Sequence, residues 1–162
     1  MQSNALFYII QKEIVSVEDY INWSHSLLKN NISSPSLNII AAFSFEDNIF
    51  EVEEYFNKAL NELEIQKPSL EVSARAYIEL FANKIIKVNN QSEMFGLAKR
   101  IFHIVATELD YPDDLLEWYE ISEMIDRLQY DEVALEFNEE DILSKIKYEE
   151  ESFQGVNDQL LF

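Results

Sequence analysis

Apolar residues recur along this chain at intervals of three and four, the spacing of one helix face. Ile49, Val52, Phe56, Ala59, Leu60 and Leu63 form one such stripe, and Asp47 stands where its N-cap belongs. Leu70, Ala74, Tyr77, Ile78, Phe81, Ile85 and Val88 form a second, with Ser69 as its cap. A third, opened by Ser92, runs through Met94, Phe95, Ala98, Ile101, Phe102, Val105 and Leu109. A fourth starts at Pro112, a favourable first helical residue, and carries Leu115, Leu116, Tyr119, Met124, Ile125 and Leu128.

Capping signals extend the pattern in both directions. Ser16 followed by Asp19 reads as a capping box opening a helix with Tyr20, Trp23, Leu27 and Leu28. Ser34-Pro35 reads as cap and first residue of a short helix through Ile39, Ile40 and Phe43. Glu139–Tyr148 reads as a last helix using Ile142, Leu143 and Ile146. The first dozen residues fit helix better than strand. In Gln129–Asn138, Val133, Leu135 and Phe137 alternate, which fits a short extended segment. The expected organisation is one helical domain over residues 1–153 and a tail over residues 154–162 that either docks or stays mobile.

Only two glycines and three prolines occur, so an all-α fold built of paired antiparallel helices is expected. Pro35-Ser36-Leu37 echoes in Pro68-Ser69-Leu70, 33 residues later, and Ala41 then aligns with Ala74. Helical-pair repeats of such length stack into solenoids. A short HEAT-like solenoid and an irregular helical bundle therefore stand as the two architectures.

Composition narrows the chemistry. The 48% apolar content supports a packed core, and the absence of cysteine excludes disulfides, thiolate zinc sites and a cysteine nucleophile. No apolar run reaches the roughly 20 residues of a membrane span. Ala5–Ile10 lacks the basic flank and cleavage site of a signal peptide, so a cytoplasmic protein is expected. No glycine-rich phosphate loop, nucleophile elbow or His-Glu-x-x-His helix occurs. His25 and His103 fit structural or exposed histidines. Asp110–Glu120 lacks the glycine and ligand alternation of a calcium loop. Neither an enzyme nor a cofactor is expected.

Charge gives the most information. The chain holds 31 acidic and 12 basic residues, a net of −19. From Glu108 to Phe162 there are 18 acidic residues and three basic ones (Arg127, Lys145, Lys147), a net of −15. The first 107 residues carry 13 and nine, a net of −4. Such a field repels nucleic acid and anionic membranes and favours a basic protein partner. On the helix expected from Pro112, Asp113, Glu117 and Glu120 share a face, with Asp114 and Glu123 close by. Trp118 and Tyr119 interleave with these acids as candidate anchors, although both cannot face solvent. Tyr111 and Tyr130 stand near them. A solvated face that keeps the protein soluble is the competing reading. Further acids cluster at Asp131, Glu132, Glu136, Glu139, Glu140 and Asp141, and at Glu149-Glu150-Glu151.

Small size, acidity, helical pattern and the lack of catalytic motifs together resemble the immunity proteins of bacterial contact-dependent and polymorphic toxin systems. Glu51-Val52-Glu53-Glu54-Tyr55-Phe56 and Leu109-Asp110-Tyr111-Pro112-Asp113-Asp114-Leu115-Leu116 also resemble a bacterial family of helical proteins associated with such loci. The likeness spans residues 14–130 and transfers no individual functional residue. It implies a dedicated inhibitor of a toxin domain, many such toxins being basic nucleases. The alternative is a non-enzymatic helical-repeat scaffold or regulator that binds a protein or peptide in a groove.

Overall fold

A computed structural model describes residues 2–159, with side chains through Ser152. It is all-α. The helices are α1 (Ser3–Gln11), α2 (Val17–Lys29), α3 (Pro35–Ala42), α4 (Ile49–Glu62), α5 (Leu70–Ile85), α6 (Gln91–Thr107), α7 (Glu117–Tyr130) and α8 (Glu139–Gln159). A 3-10 turn, Asp113–Leu115, precedes α7. No strand occurs among the described residues. The chain divides into two compact units, Met1–Tyr77 and Ile78–Phe162, and the boundary falls within α5.

In the first unit α2 packs on α1, α3 and α4, and α3 packs on α4. The core centres on aromatic rings. Phe56 of α4 lies 5.9 Å from Phe7, 4.9 Å from Tyr20 and 4.9 Å from Trp23, ring centre to ring centre. These separations fall in the range where tilted rings attract. Trp23 is fully buried, and its indole N–H donates to Ser3 Oγ at 2.9 Å. Tyr8 stacks on Tyr77 at 4.7 Å. The Tyr20 hydroxyl donates to Glu53 at 3.3 Å. Burial, reinforced by that carboxylate, raises the Tyr20 pKa above the ordinary phenol value.

The caps explain where the helices begin. Ser16 and Asp19 form the expected box: Asp19 N–H donates to Ser16 Oγ at 3.3 Å and Ser16 N–H to Asp19 Oδ2 at 2.9 Å. Ser16→Ala is expected to lower stability by about 1 kcal/mol in chemical denaturation, the usual cost of losing an N-cap. Ser34 caps α3, with Pro35 as its first residue. The α3 N-terminus is also held from α4, because Glu62 accepts from Ser36 N–H at 2.9 Å and from Ser36 Oγ–H at 2.7 Å. Hydrogen bonds from Ser34 and Ser36 hold the Glu62 carboxyl below its usual pKa. Ser69 caps α5 through Val72 N–H at 3.3 Å.

Other starts are corrected. Asn48, not Asp47, caps α4, and Asp47 instead accepts from Ser44 N–H at 2.6 Å. Asn90, not Ser92, caps α6. Pro112 does not begin a helix: its φ of −62° and ψ of 142° are extended, and α7 begins only at Glu117. Residues 131–138 are irregular rather than a strand. The echo is used in two registers. Pro35 is the first residue of α3, whereas Pro68 lies outside α5 and Ser69 caps it. The motif therefore opens its two helices in different registers, and an irregular helical bundle is consistent with the all-α structure. Helix α8 continues through residues 154–159 of the expected tail, and residues 160–162 lie outside the described residues.

Candidate partner-binding surface

The second unit holds most of the acid. Residues 78–162 contain 20 acidic and seven basic residues, a net of −13, against −6 for the first unit. Its core is carried by Phe95, Ala98, Ile101 and Val105 of α6, Ile121 and Ile125 of α7, and Ile142 and Ile146 of α8. Helix α7 packs on both α6 and α8.

Chain entry into α7 is unusual. After α6, Asp110 and Tyr111 both adopt left-handed backbone, with φ of 53° and 55°. Aspartate tolerates this region, but tyrosine does so at a cost. Tyr111 N–H closes the turn on Val105 C=O at 3.1 Å. Leu115, fully buried, anchors the 3-10 turn, which leaves Asp113 and Asp114 exposed.

The side chains of α7 point in three directions, and two of the acids expected on its face are taken up by a neighbouring helix. Trp118, Ile121, Ser122 and Ile125 point into the core. Glu117 and Glu120 turn toward α8 and grip Lys145 at 2.8 and 2.7 Å. Those bonds, Glu117 first, raise the Lys145 pKa. Tyr119, Asp126 and Tyr130 lie along α6, where Lys99 bonds Asp126 at 2.5 Å and Gln129 at 3.2 Å. Asp113 does not share the α7 face with Glu117, because the 3-10 turn intervenes.

These placements sort the expected contact residues. Trp118 is fully buried, which removes it as a surface anchor. Tyr119 is 44% exposed and stays on the surface. Glu117 and Glu120 are already committed to Lys145. Asp113 and Glu123 are exposed and make no ion pair among the described residues. Asp114 is also exposed.

Comparison of the chain with protein-family models, curated proteins and solved structures yields no match. The surface therefore has to be read from its own chemistry.

Four residues have roles at this surface that the sequence does not show. Lys145 is the cation that organises Glu117 and Glu120. Phe102, half-buried on α6, lies 6.2 Å from Tyr111 and 5.8 Å from Tyr119, joining them into one ring cluster. Glu149 and Glu150, which the sequence shows only as part of an acidic cluster, are 7% and 4% exposed. They continue the buried stripe of Ile142 and Ile146 on α8. Burial, with Glu117 nearby, pushes the Glu149 pKa up, while Lys145 opposes the shift. Asp131 pairs with Arg127 at 3.2 Å, and Asp141 accepts from Asn138 N–H at 2.8 Å at the start of α8.

His103 is exposed, and His25 bonds Ala41 C=O through Nε2 at 3.1 Å. No group of three or more metal-ligating side chains converges among the described residues, and no described helix is long and apolar enough to cross a membrane.

Proposed function

We propose that this chain is an immunity-type inhibitor that binds and neutralises a basic protein, a toxin domain with nuclease activity. It acts in the cytoplasm by occlusion, without catalysis or cofactor. The supporting observation is the surface where α6, the 3-10 turn and α7 meet. There Asp113 and Glu123, exposed and in no ion pair among the described residues, follow the exposed Tyr111 and Tyr119 by two and four residues. Carboxylates on such a surface take the place of nucleic-acid phosphates as partners for Lys and Arg. The −13 charge of the second unit steers encounter, with association rates of about 10⁸–10⁹ M⁻¹s⁻¹ at low salt. The aromatic contacts then set dissociation and specificity.

The test uses charge reversal at Asp113 and Glu123, because reversing Glu117 or Glu120 would also break the hold on Lys145. Tagged chain should recover one basic polypeptide at 1:1 stoichiometry that arrests growth when expressed alone. Co-expression of the chain should restore growth. Asp113→Lys with Glu123→Lys should abolish that rescue while the circular dichroism spectrum stays helical. The association rate should also fall steeply between 50 and about 500 mM salt. Rescue by the charge-reversed chain would sink the proposal, as would a partner that is neither basic nor toxic.

A further inference from the structure

Aromatic faces already hold cations in the second unit. Lys99 Nζ sits 5.8 Å over the Tyr130 ring, and the Arg127 guanidinium 5.3 Å over the Phe137 ring. Both cations are also paired with carboxylates, Asp126 and Asp131. The local rule is a ring face and an acid sharing one positive charge. The Phe102, Tyr111 and Tyr119 rings break that rule, since no cation of the described chain lies over any of them. Phe102 lies against both tyrosines, 6.2 Å from Tyr111 at a tilt of 52° and 5.8 Å from Tyr119 at 57°. Tyr111 and Tyr119 are 45% and 44% exposed, and Leu116 beside them is 42% exposed. On α7, Tyr119 and Glu123 are one turn apart on the same side of the helix. Asp113 stands two residues beyond Tyr111.

We propose that the Phe102–Tyr111–Tyr119 cluster seats an arginine side chain of the basic partner, its guanidinium over the rings and its charge shared with Asp113 and Glu123. This rests on the partner-binding reading above and adds the chemistry of its central contact. Arginine is favoured over lysine on physical grounds. Its guanidinium is planar, weakly hydrated and able to stack on a ring while its N–H groups reach carboxylates at the edge. An ammonium is compact and strongly hydrated, and it gains less from half-exposed tyrosines.

The probes are hexa-arginine and hexa-lysine peptides, titrated calorimetrically into the full chain at low ionic strength. Hexa-arginine should bind more tightly. Tyr119→Leu and Tyr111→Leu keep apolar area but remove the ring, and each should weaken hexa-arginine about three- to fivefold while leaving hexa-lysine unchanged. Tyr119→Phe keeps the ring and should bind like the parent. Asp113→Asn with Glu123→Gln should weaken both peptides. Thermal melts of every variant control for folding, and Tyr119→Leu alone decides the matter if Leu at 111 disturbs the strained turn. Equal affinity for both peptides, unaffected by the Leu variants, would overturn the arginine seat and leave the acidic-surface reading standing. Failure of either peptide to bind, or indifference to the Asp113 and Glu123 changes, would overturn both.

Discussion

Trp118→Ala is expected to remove about 3–5 kcal/mol of stability, the usual cost of deleting a buried tryptophan. Domains of this size hold only about 5–15 kcal/mol in total, so the second unit should melt far earlier or fail to fold. The reason is position. Trp118 is fully exposed to the core and not at all to solvent, beside Ile121 and Ile125 on the same helix face. Its indole N–H has no hydrogen-bond partner among the described residues. An unsatisfied buried donor costs roughly 1–3 kcal/mol, which is subtracted from what the ring gains by packing. Trp118→Phe deletes that donor with part of the ring and should therefore cost much less than Trp118→Ala. Trp23 is an internal comparison. It is equally buried, but its N–H is bonded to Ser3, so Trp23→Phe should be the more costly of the two Phe changes. Urea denaturation followed by circular dichroism gives all three values. A Trp118→Ala chain as stable as the parent would show that the residue does not anchor the unit.

The fate of Trp118 shows what a linear pattern carries. The helical spacing of apolar residues locates each long helix, because one buried stripe per helix is a local property of the chain, but not its ends: α8 runs on from the expected Tyr148 to Gln159. The caps at Ser16 and Ser34 were legible because the side chain and the amide it serves are three residues apart. Where several small polar residues adjoin, as at Asp47-Asn48 or Asn90-Gln91-Ser92, each can cap, and tertiary packing chooses. Pro112 misled because its fixed φ suits both a first helical turn and an extended lead-in. The deciding residue is Leu115, whose burial ties down a 3-10 turn before α7. The acidic face was the larger miss. Periodicity separates polar from apolar positions, but it does not say which polar side meets another helix. Lys145 is 25 residues from Glu120 in sequence, and only the packing of α7 on α8 brings them together. The same packing buries Glu149 and Glu150, which in sequence look like part of a solvated run.

Replacing Lys145 should expose that cost. Glu117 and Glu120 are roughly half-exposed, so solvent limits each ion pair to about 0.2–1 kcal/mol. Lys145→Met removes both and also withdraws a cation that opposes the cost of the buried Glu149 charge. A total loss of about 1–2 kcal/mol at pH 7 is expected, with α7–α8 packing weakened first. Glu149→Gln should act in the opposite direction and stabilise the chain at pH 7. The pH dependence gives a second, independent reading. The folded pKa of Glu149 is raised, so between the unfolded value near 4.5 and the folded value the native state binds more protons. Stability therefore falls as pH rises through the folded pKa, and the penalty is fully present above it. Glu62 works in reverse: its lowered pKa gives a contribution present above 4.5 and lost as pH falls through the folded value. Lys145, raised from 10.5, stays charged throughout this window. On acidification from pH 7, the parent should first gain stability from Glu149 and only later lose the Glu62 contribution. In Glu149→Gln the initial gain should disappear. Lys145→Met should enlarge it, because the Glu117 charge then acts on Glu149 without Lys145 to oppose it. An unchanged pH profile in Glu149→Gln would mean that its carboxyl is solvated in the folded chain and that α8 carries no buried charge from it.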